Sequence, residues 1–304
     1  MTSGTVPAET SVWSTLSRVA VLRVVVFFVV LREVYSGVQY PLEALSNVVP
    51  DALAPLAMIA ATIFFSVVML VVYVLLVRLF ERRRADELAF RGRGVRLAAA
   101  GALFGFLLLG LIYAVLLVLG VARWEGRGGF GGVLLMLIIA TISGIGEELA
   151  YRGGFFRILE ESFGTLVAII LSAALFGFFH IGNPGATAVS TIAIALEGGV
   201  LLAAAYVVSR NLWLPIGLHF GWNFTEGGVF GASVSGKTFR GIFNVPLSGN
   251  DLLTGGAFGP EASLVTLAVC LAAGLILIGV ATRNGRWRPF TIRMMLNPEI
   301  GVTE

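Results

Sequence analysis

Charge is scarce in this sequence. Asp, Glu, Lys and Arg make up only 13% of its 304 residues, against about 25% in soluble proteins. A pair of soluble domains, which the length alone would allow, is therefore excluded. Apolar residues reach 57% and the mean hydropathy is +0.92, more apolar surface than a soluble core can absorb. The excess must face lipid, and the expected fold is all-α, a polytopic transmembrane bundle. Cysteine is limited to Cys270, which rules out an intrachain disulfide framework. Histidine is limited to His180 and His219. The HExxH spacing, which sets two zinc ligands on one helix face, is missing. No Ser–His pair marks a nucleophile turn, no soluble domain interrupts the apolar segments, and no long repeat is visible. The net charge of +3 follows membrane topology, so nucleic acid is not an expected partner.

What the chain does contain is a series of long apolar segments. A helical span needs about 20 apolar residues, and 52–77, 97–121, 132–152, 165–181, 188–208, 212–225 and 262–281 are the candidates. The stretch VAVLRVVVFFVVL (19–31) is an ambiguous eighth, interrupted by Arg23. No convincing small-residue cleavage site follows it, so it reads as a retained first segment rather than a signal peptide. The expectation is about eight spans, with a polar cavity between the helices that carry the motifs described below.

Arginine is concentrated in RLFERRRADELAFRGRGVR (78–96), which the positive-inside rule places in the cytoplasm. Alternation from there puts Arg18, Arg23, Arg152, Arg157, Arg210, Arg283, Arg286, Arg288 and Arg293 on the same side. Arg32, Arg123, Arg127, Lys237 and Arg240 fall outside. Anionic membrane lipid is the expected partner of the arginine block, and the asymmetry and compact form point to a bacterial inner membrane. The chain then divides into N-terminal transmembrane segments with the Arg-rich loop (1–131) and a helical core (132–225). The remainder (226–304) is an external Gly/Ser/Asn-rich loop, a last transmembrane helix and a basic tail.

An ionisable side chain inside a span costs roughly 3 kcal/mol on insertion scales, so such residues mark pairs, bundle interiors or functional paths. Between 132 and 225 the polar candidates inside the apolar part are Glu147, Glu148, Arg152, His180, Glu197, His219 and Asn223. Glu148 and Arg152, four apart, share a helix face and predict an ion pair. Glu147 lies about 100° further round and is free to point elsewhere. His219 and Asn223 are again four apart, and Gly217 and Gly221 beside them form a GxxxG pattern that admits a neighbouring helix. Phe176 stands one turn before His180. Glu197, followed by two glycines, reads as a hydrogen-bond partner for a neighbouring helix. If the chain reverses at SFG (162–164), Glu147, Glu148 and His180 all lie about 24 Å from the turn, at one depth. Whether the helix bearing His180 tilts or continues through GNPG (182–185) is not fixed by hydropathy.

A carboxylate and an imidazole that converge on one water make a general base. A second imidazole with an amide can hold the oxyanion of a tetrahedral intermediate. With no Ser or Cys nucleophile in place, water is the expected nucleophile and peptide-bond hydrolysis the expected reaction. No cofactor is required by this reading, although two histidines and a glutamate on three helices also resemble a zinc set. A proton-coupled transporter and a non-catalytic immunity scaffold are the alternatives from other classes. A relay would string its polar groups through the whole membrane, whereas these cluster at one level.

EELAYR (147–152), FGFFH (176–180) and HFGWN (219–223) resemble the EExxxR, FxxxH and HxxxN motifs of the CAAX-protease and bacteriocin-processing (CPBP, or Abi) intramembrane proteases. That family includes the type II CAAX prenyl endopeptidases. The three motifs occur in order, and the similarity covers roughly 140–225. It implies an intramembrane endopeptidase with Glu147 as the water-activating carboxylate, helped by His180. His219 and Asn223 would form the oxyanion site, and Glu148, Arg152 and Phe176 would support it. It implies a protein or peptide substrate, in some members a prenylated one. Both metal-dependent and glutamate-dependent mechanisms have been assigned to the family.

Overall fold

The computed structural model describes residues 20–50 and 52–290, side chains of 38–48 excepted. Arg18 and Arg293, which belong to the expected basic flank, lie outside the described residues. Each apolar segment read from the sequence forms a helix. These are α1 (Ala20–Val48), α2 (Ala54–Leu76, prolonged to Glu81), α3 (Arg93–Val118) and α4 (Val133–Glu148, prolonged to Phe163). They continue with α5 (Thr165–Phe178), α6 (Ala188–Ile194, prolonged to Ser209), α7 (Trp213–Asn223, prolonged to Val229) and α8 (Leu264–Arg283). Among the described residues the only sheet is a hairpin of β1 (Ser233–Val234) and β2 (Lys237–Thr238). The all-α expectation holds.

The expected number of spans does not. Among the described residues five helices are long and apolar enough to cross a membrane: Ala54–Glu81, Arg93–Val118, Val133–Phe163, Ala188–Ser209 and Leu264–Arg283. Helix α5 has 14 residues, about 21 Å at 1.5 Å per residue, against a hydrocarbon core of about 30 Å. Helix α7 has 11 residues and a 6-residue extension, and α1 interrupts its apolar run with Arg23, Arg32 and Glu33. Within the bundle, α4 and α6 are central, with 61% of their most apolar windows buried, whereas α2 and α8 bury 28% and 22%. Leu56, Phe64, Leu103, Leu107, Leu275 and Ile276 are exposed on α2, α3 and α8, as lipid-facing positions should be.

The GxxxG pattern on α7 meets a second one on α3. A Cβ at Gly217 or Gly221 would overlap the backbone of Ala98 or Ala102, and one at Gly101 or Gly105 would overlap that of Leu214 or Leu218. Reciprocal small residues thus let the two helices touch backbone to backbone, which fixes the helix that carries His219 and Asn223.

The reversal near 162–164 is made at Gly164, whose φ of +82° suits a residue without a Cβ. Helix α5 then ends at Phe178 and does not run on through GNPG. His180 sits in the turn beyond the helix. Four helices also contain wide π-helical stretches: Val77–Glu81, Leu149–Phe156, Ala195–Gly199 and Phe224–Val229. The last three adjoin polar residues of the core, where such stretches are often found.

At the arginine-rich end, Glu81 accepts from Arg23 (3.3 Å), Arg83 (2.8 Å) and Arg157 (2.9 Å). Glu87 accepts from Arg83 at 2.8 Å and from the Tyr73 hydroxyl, which ties the 82–92 loop to α2 and α4. At the opposite end the 230–260 segment pairs with the 119–132 loop through bridges at Ala122–Leu247 and Arg127–Phe243. The expected external loop is therefore a built cap.

Candidate active site

The ion pair expected within EELAYR is present. Arg152 donates to Glu148 Oε1 at 2.8 Å, and both side chains are 0% exposed. Its other terminal nitrogen donates to the carbonyls of Gly198 (3.0 Å) and Gly199 (3.2 Å) on α6. Those carbonyls lie in a π-helical stretch, where the regular i to i−4 bonding is relaxed. The guanidinium carbon also lies 4.7 Å from the centre of the Phe176 ring. One arginine thereby joins α4, α5 and α6.

Glu148 Oε1 has a second partner, His219 Nδ1 at 3.0 Å. A carboxylate can only accept, so Nδ1 carries a proton and Nε2 is left to face the other way. It faces Glu147: Nε2 and Glu147 Oε2 are 4.0 Å apart. An oxygen at about 2.8 Å from both atoms would subtend about 90°, an acceptable hydrogen-bond angle for a water molecule. Glu147 Oε1 accepts from the Tyr35 hydroxyl of α1 at 3.0 Å. Gly146 permits this approach, because a Cβ there would run into the Tyr35 ring.

His180 Nδ1 is 2.7 Å from the carbonyl oxygen of Phe176. Since a carbonyl only accepts, the neutral ring keeps its proton on Nδ1 and offers Nε2 as a base. Phe176 stacks obliquely on His180 and edge-on to His219, with centroids 4.8 and 6.2 Å apart, which restrains both rings. Asn223 Nδ2 donates to Ser143 Oγ at 2.9 Å, leaving its second N–H available.

Glu147, His180, His219 and Asn223 border one cavity. A second shares Glu147, His180 and Asn223 and is also lined by Arg32, Tyr35 and Lys237. Five of the seven residues expected at the site border these spaces, and Glu148 and Arg152 are completely buried, with Glu148 held against His219. Glu197 also borders the first cavity, but the neighbouring-helix hydrogen bond expected of it is absent among the described residues.

Three contributors carry no motif. Tyr35, on α1, looks like any aromatic at a helix end. Glu261 and Ser235 come from the cap and border the first cavity. Ser235 donates its N–H (2.5 Å) and hydroxyl (2.9 Å) to Glu261 Oε2, while Trp222 Nε1 donates to Oε1 at 3.3 Å. Burial pushes the Glu261 carboxyl up, opposed by His180 and by these donors. The sequence marked this stretch only as an external Gly/Ser/Asn-rich loop, with no signal that it folds back over the site.

Among the described residues no three His, Cys, Asp or Glu side chains converge closely enough to hold a metal ion. Both Nδ1 atoms are committed to oxygens of the protein and Glu147 Oε1 to Tyr35, which leaves both Nε2 atoms and Glu147 Oε2 without a protein hydrogen bond among the described residues; no step is assigned to a metal ion.

Residues 129–225 match the model of the family described as type II CAAX prenyl endopeptidase, Rce1-like. The matched stretch takes in Glu147, Glu148, Arg152, Phe176, His180, His219 and Asn223, and it leaves out Tyr35, Ser235 and Glu261. No curated protein and no solved structure matches the chain. The family match agrees with the resemblance carried by the three motifs and supports a membrane peptidase at the level of the family.

Proposed function

We propose that the chain is an intramembrane endopeptidase that hydrolyses a peptide bond of a membrane-associated protein or peptide. The observation that carries this reading is the sharing of one cavity by Glu147, His180, His219 and Asn223. A bacterial inner membrane is the proposed location, and a lipid-modified substrate is one case of the class.

Glu147 and the unprotonated Nε2 of His180 orient a water and take its proton as its oxygen attacks the scissile carbonyl carbon. Negative charge grows on the carbonyl oxygen, where a protonated Nε2 of His219 and the free N–H of Asn223 donate to it. When the C–N bond breaks, Glu147 returns the proton to the leaving amine. Glu148 holds His219 by its Nδ1 proton and is itself held by Arg152. The two buried charges are retained because they orient the ring that meets the substrate.

The test uses the full chain in lipid nanodiscs with a panel of membrane-anchored reporter peptides, scored by mass spectrometry. Glu147→Ala should abolish cleavage without loss of folded protein, and Asn223→Ala should lower kcat about 100-fold. A membrane-permeant zinc chelator should leave the rate unchanged. Wild-type cleavage by Glu147→Ala would sink the mechanism, and ion flux in proteoliposomes without proteolysis would favour a transporter.

A further inference from the structure

The cavity beside the proposed catalytic groups has a second, acidic wall. Glu197 is 2% exposed, borders the cavity, and its Oε2 is buried with no hydrogen-bond partner among the described residues. Glu261 borders the same space. Behind them Glu226 is fully buried with both carboxylate oxygens unpartnered among the described residues, within electrostatic reach of Glu197 and Glu261.

Among the described residues no Lys or Arg neutralises this wall, and the groups bordering the cavity that can take a positive charge are the histidines of the proposed catalytic set. Arg152 approaches the same turn of α6, but its donors go to Glu148 and to the carbonyls of Gly198 and Gly199. Arg32 and Lys237 line the other cavity, and no Lys or Arg borders this one. An isolated carboxylate without donors is costly to bury. Glu261 has solved that problem with Ser235 and Trp222, whereas Glu197 has not. The remaining walls are apolar, supplied by Leu201, Leu202 and Leu218. Apolar sides ending on an unpartnered acid match an aliphatic stem with a cationic head.

We propose that this chamber is a specificity subsite for a lysine or arginine side chain of the substrate beside the scissile bond, with Glu197 as the partner of its cationic head. The proposal rests on the peptidase reading above. It names a substrate feature supplied by α6 and by a cap outside the family-matched residues. Glu261, fixed by Ser235, borders the same chamber as a second carboxyl. The lysine stem lies along the leucines, and its ammonium enters where no Lys or Arg among the described residues competes.

The experiment compares peptides that carry lysine, norleucine or glutamate in turn at each position around the cleaved bond, using wild type and Glu197→Gln in nanodiscs. Norleucine keeps most of the stem and removes the charge. In wild type, one position should favour lysine over norleucine by at least about tenfold in kcat/KM, and glutamate there should be cleaved worst. In Glu197→Gln the lysine-to-norleucine ratio should fall towards one. Equal cleavage of lysine and norleucine peptides by wild type at every position would overturn the subsite and leave the peptidase reading standing. The wild-type comparison decides this even if the variant fails to fold. Cleavage of no peptide in the panel would overturn both.

Discussion

The Tyr35 hydroxyl donates to Glu147 Oε1 at 3.0 Å, across 112 positions of chain. The carboxylate at the centre of the site is therefore aimed by a helix that lies outside the family-matched stretch. With Oε1 held, Oε2 is the oxygen turned towards His219.

Tyr35→Phe removes that donor and keeps the ring that packs over Gly146. The expected result is a fall in kcat of about tenfold or more, with KM and thermal stability little changed. A steady-state split of kcat from KM, set beside a melting curve, checks it. A variant that loses stability in proportion to activity would reduce Tyr35 to a packing residue.

Glu148 and Arg152 form a completely buried pair, so removing either partner strands the other. Glu148→Ala and Arg152→Ala should each destabilise the protein by about 3–5 kcal/mol. The double variant should cost less than the sum by about 1–3 kcal/mol. Reversible unfolding in mild detergent measures all three.

Glu87 lies in the loop at the arginine-rich end. Burial alone would raise its carboxyl, but the Arg83 hydrogen bond, Arg157 and the Tyr73 hydroxyl hold it below the ordinary value of 4.5. A depressed carboxyl contributes stability that is present above the unfolded value and lost as pH falls through the folded one. Glu87→Gln should therefore destabilise by about 1–3 kcal/mol at pH 7, and its melting curve should converge with wild type in acid. A difference independent of pH would contradict the assignment.

A methyl group at Gly221 would overlap the Ala102 backbone, whereas at Gly110 on α3 it would meet nothing within 4 Å. Gly221→Ala should lose about 1–3 kcal/mol of stability by overpacking, and Gly110→Ala should be neutral or slightly stabilising. Folded yield and monodispersity by size exclusion compare them directly.

The seven motif residues were legible in the sequence because polar groups in apolar helices stand out and their four-residue spacing reports a shared face. Tyr35 and Glu261 were not. Each acts through a contact far away in sequence, and a tyrosine or a loop glutamate has no periodicity to betray it. Hydropathy carried 165–181 through Phe178, Phe179 and Ile181, although the chain is already turning there, because a window average does not register where hydrogen bonding stops. The wide helical stretches were equally invisible, since they alter the number of residues per turn without altering composition.

That alteration has a consequence along α4. Upstream of the π-helical stretch Leu149–Phe156, Glu147 addresses the cavity and Glu148 addresses His219; downstream of it, Arg157 addresses Glu81. A wider turn advances each residue by a smaller angle than an α turn does, so the two faces are offset from where an uninterrupted helix would set them. The stretch works as a phase adjuster between two compartments that one regular helix would not serve together. A chain that lost one residue between Gly153 and Phe156 would keep its motif spelling and its hydropathy, yet one of its two faces would be pointed at the wrong neighbour.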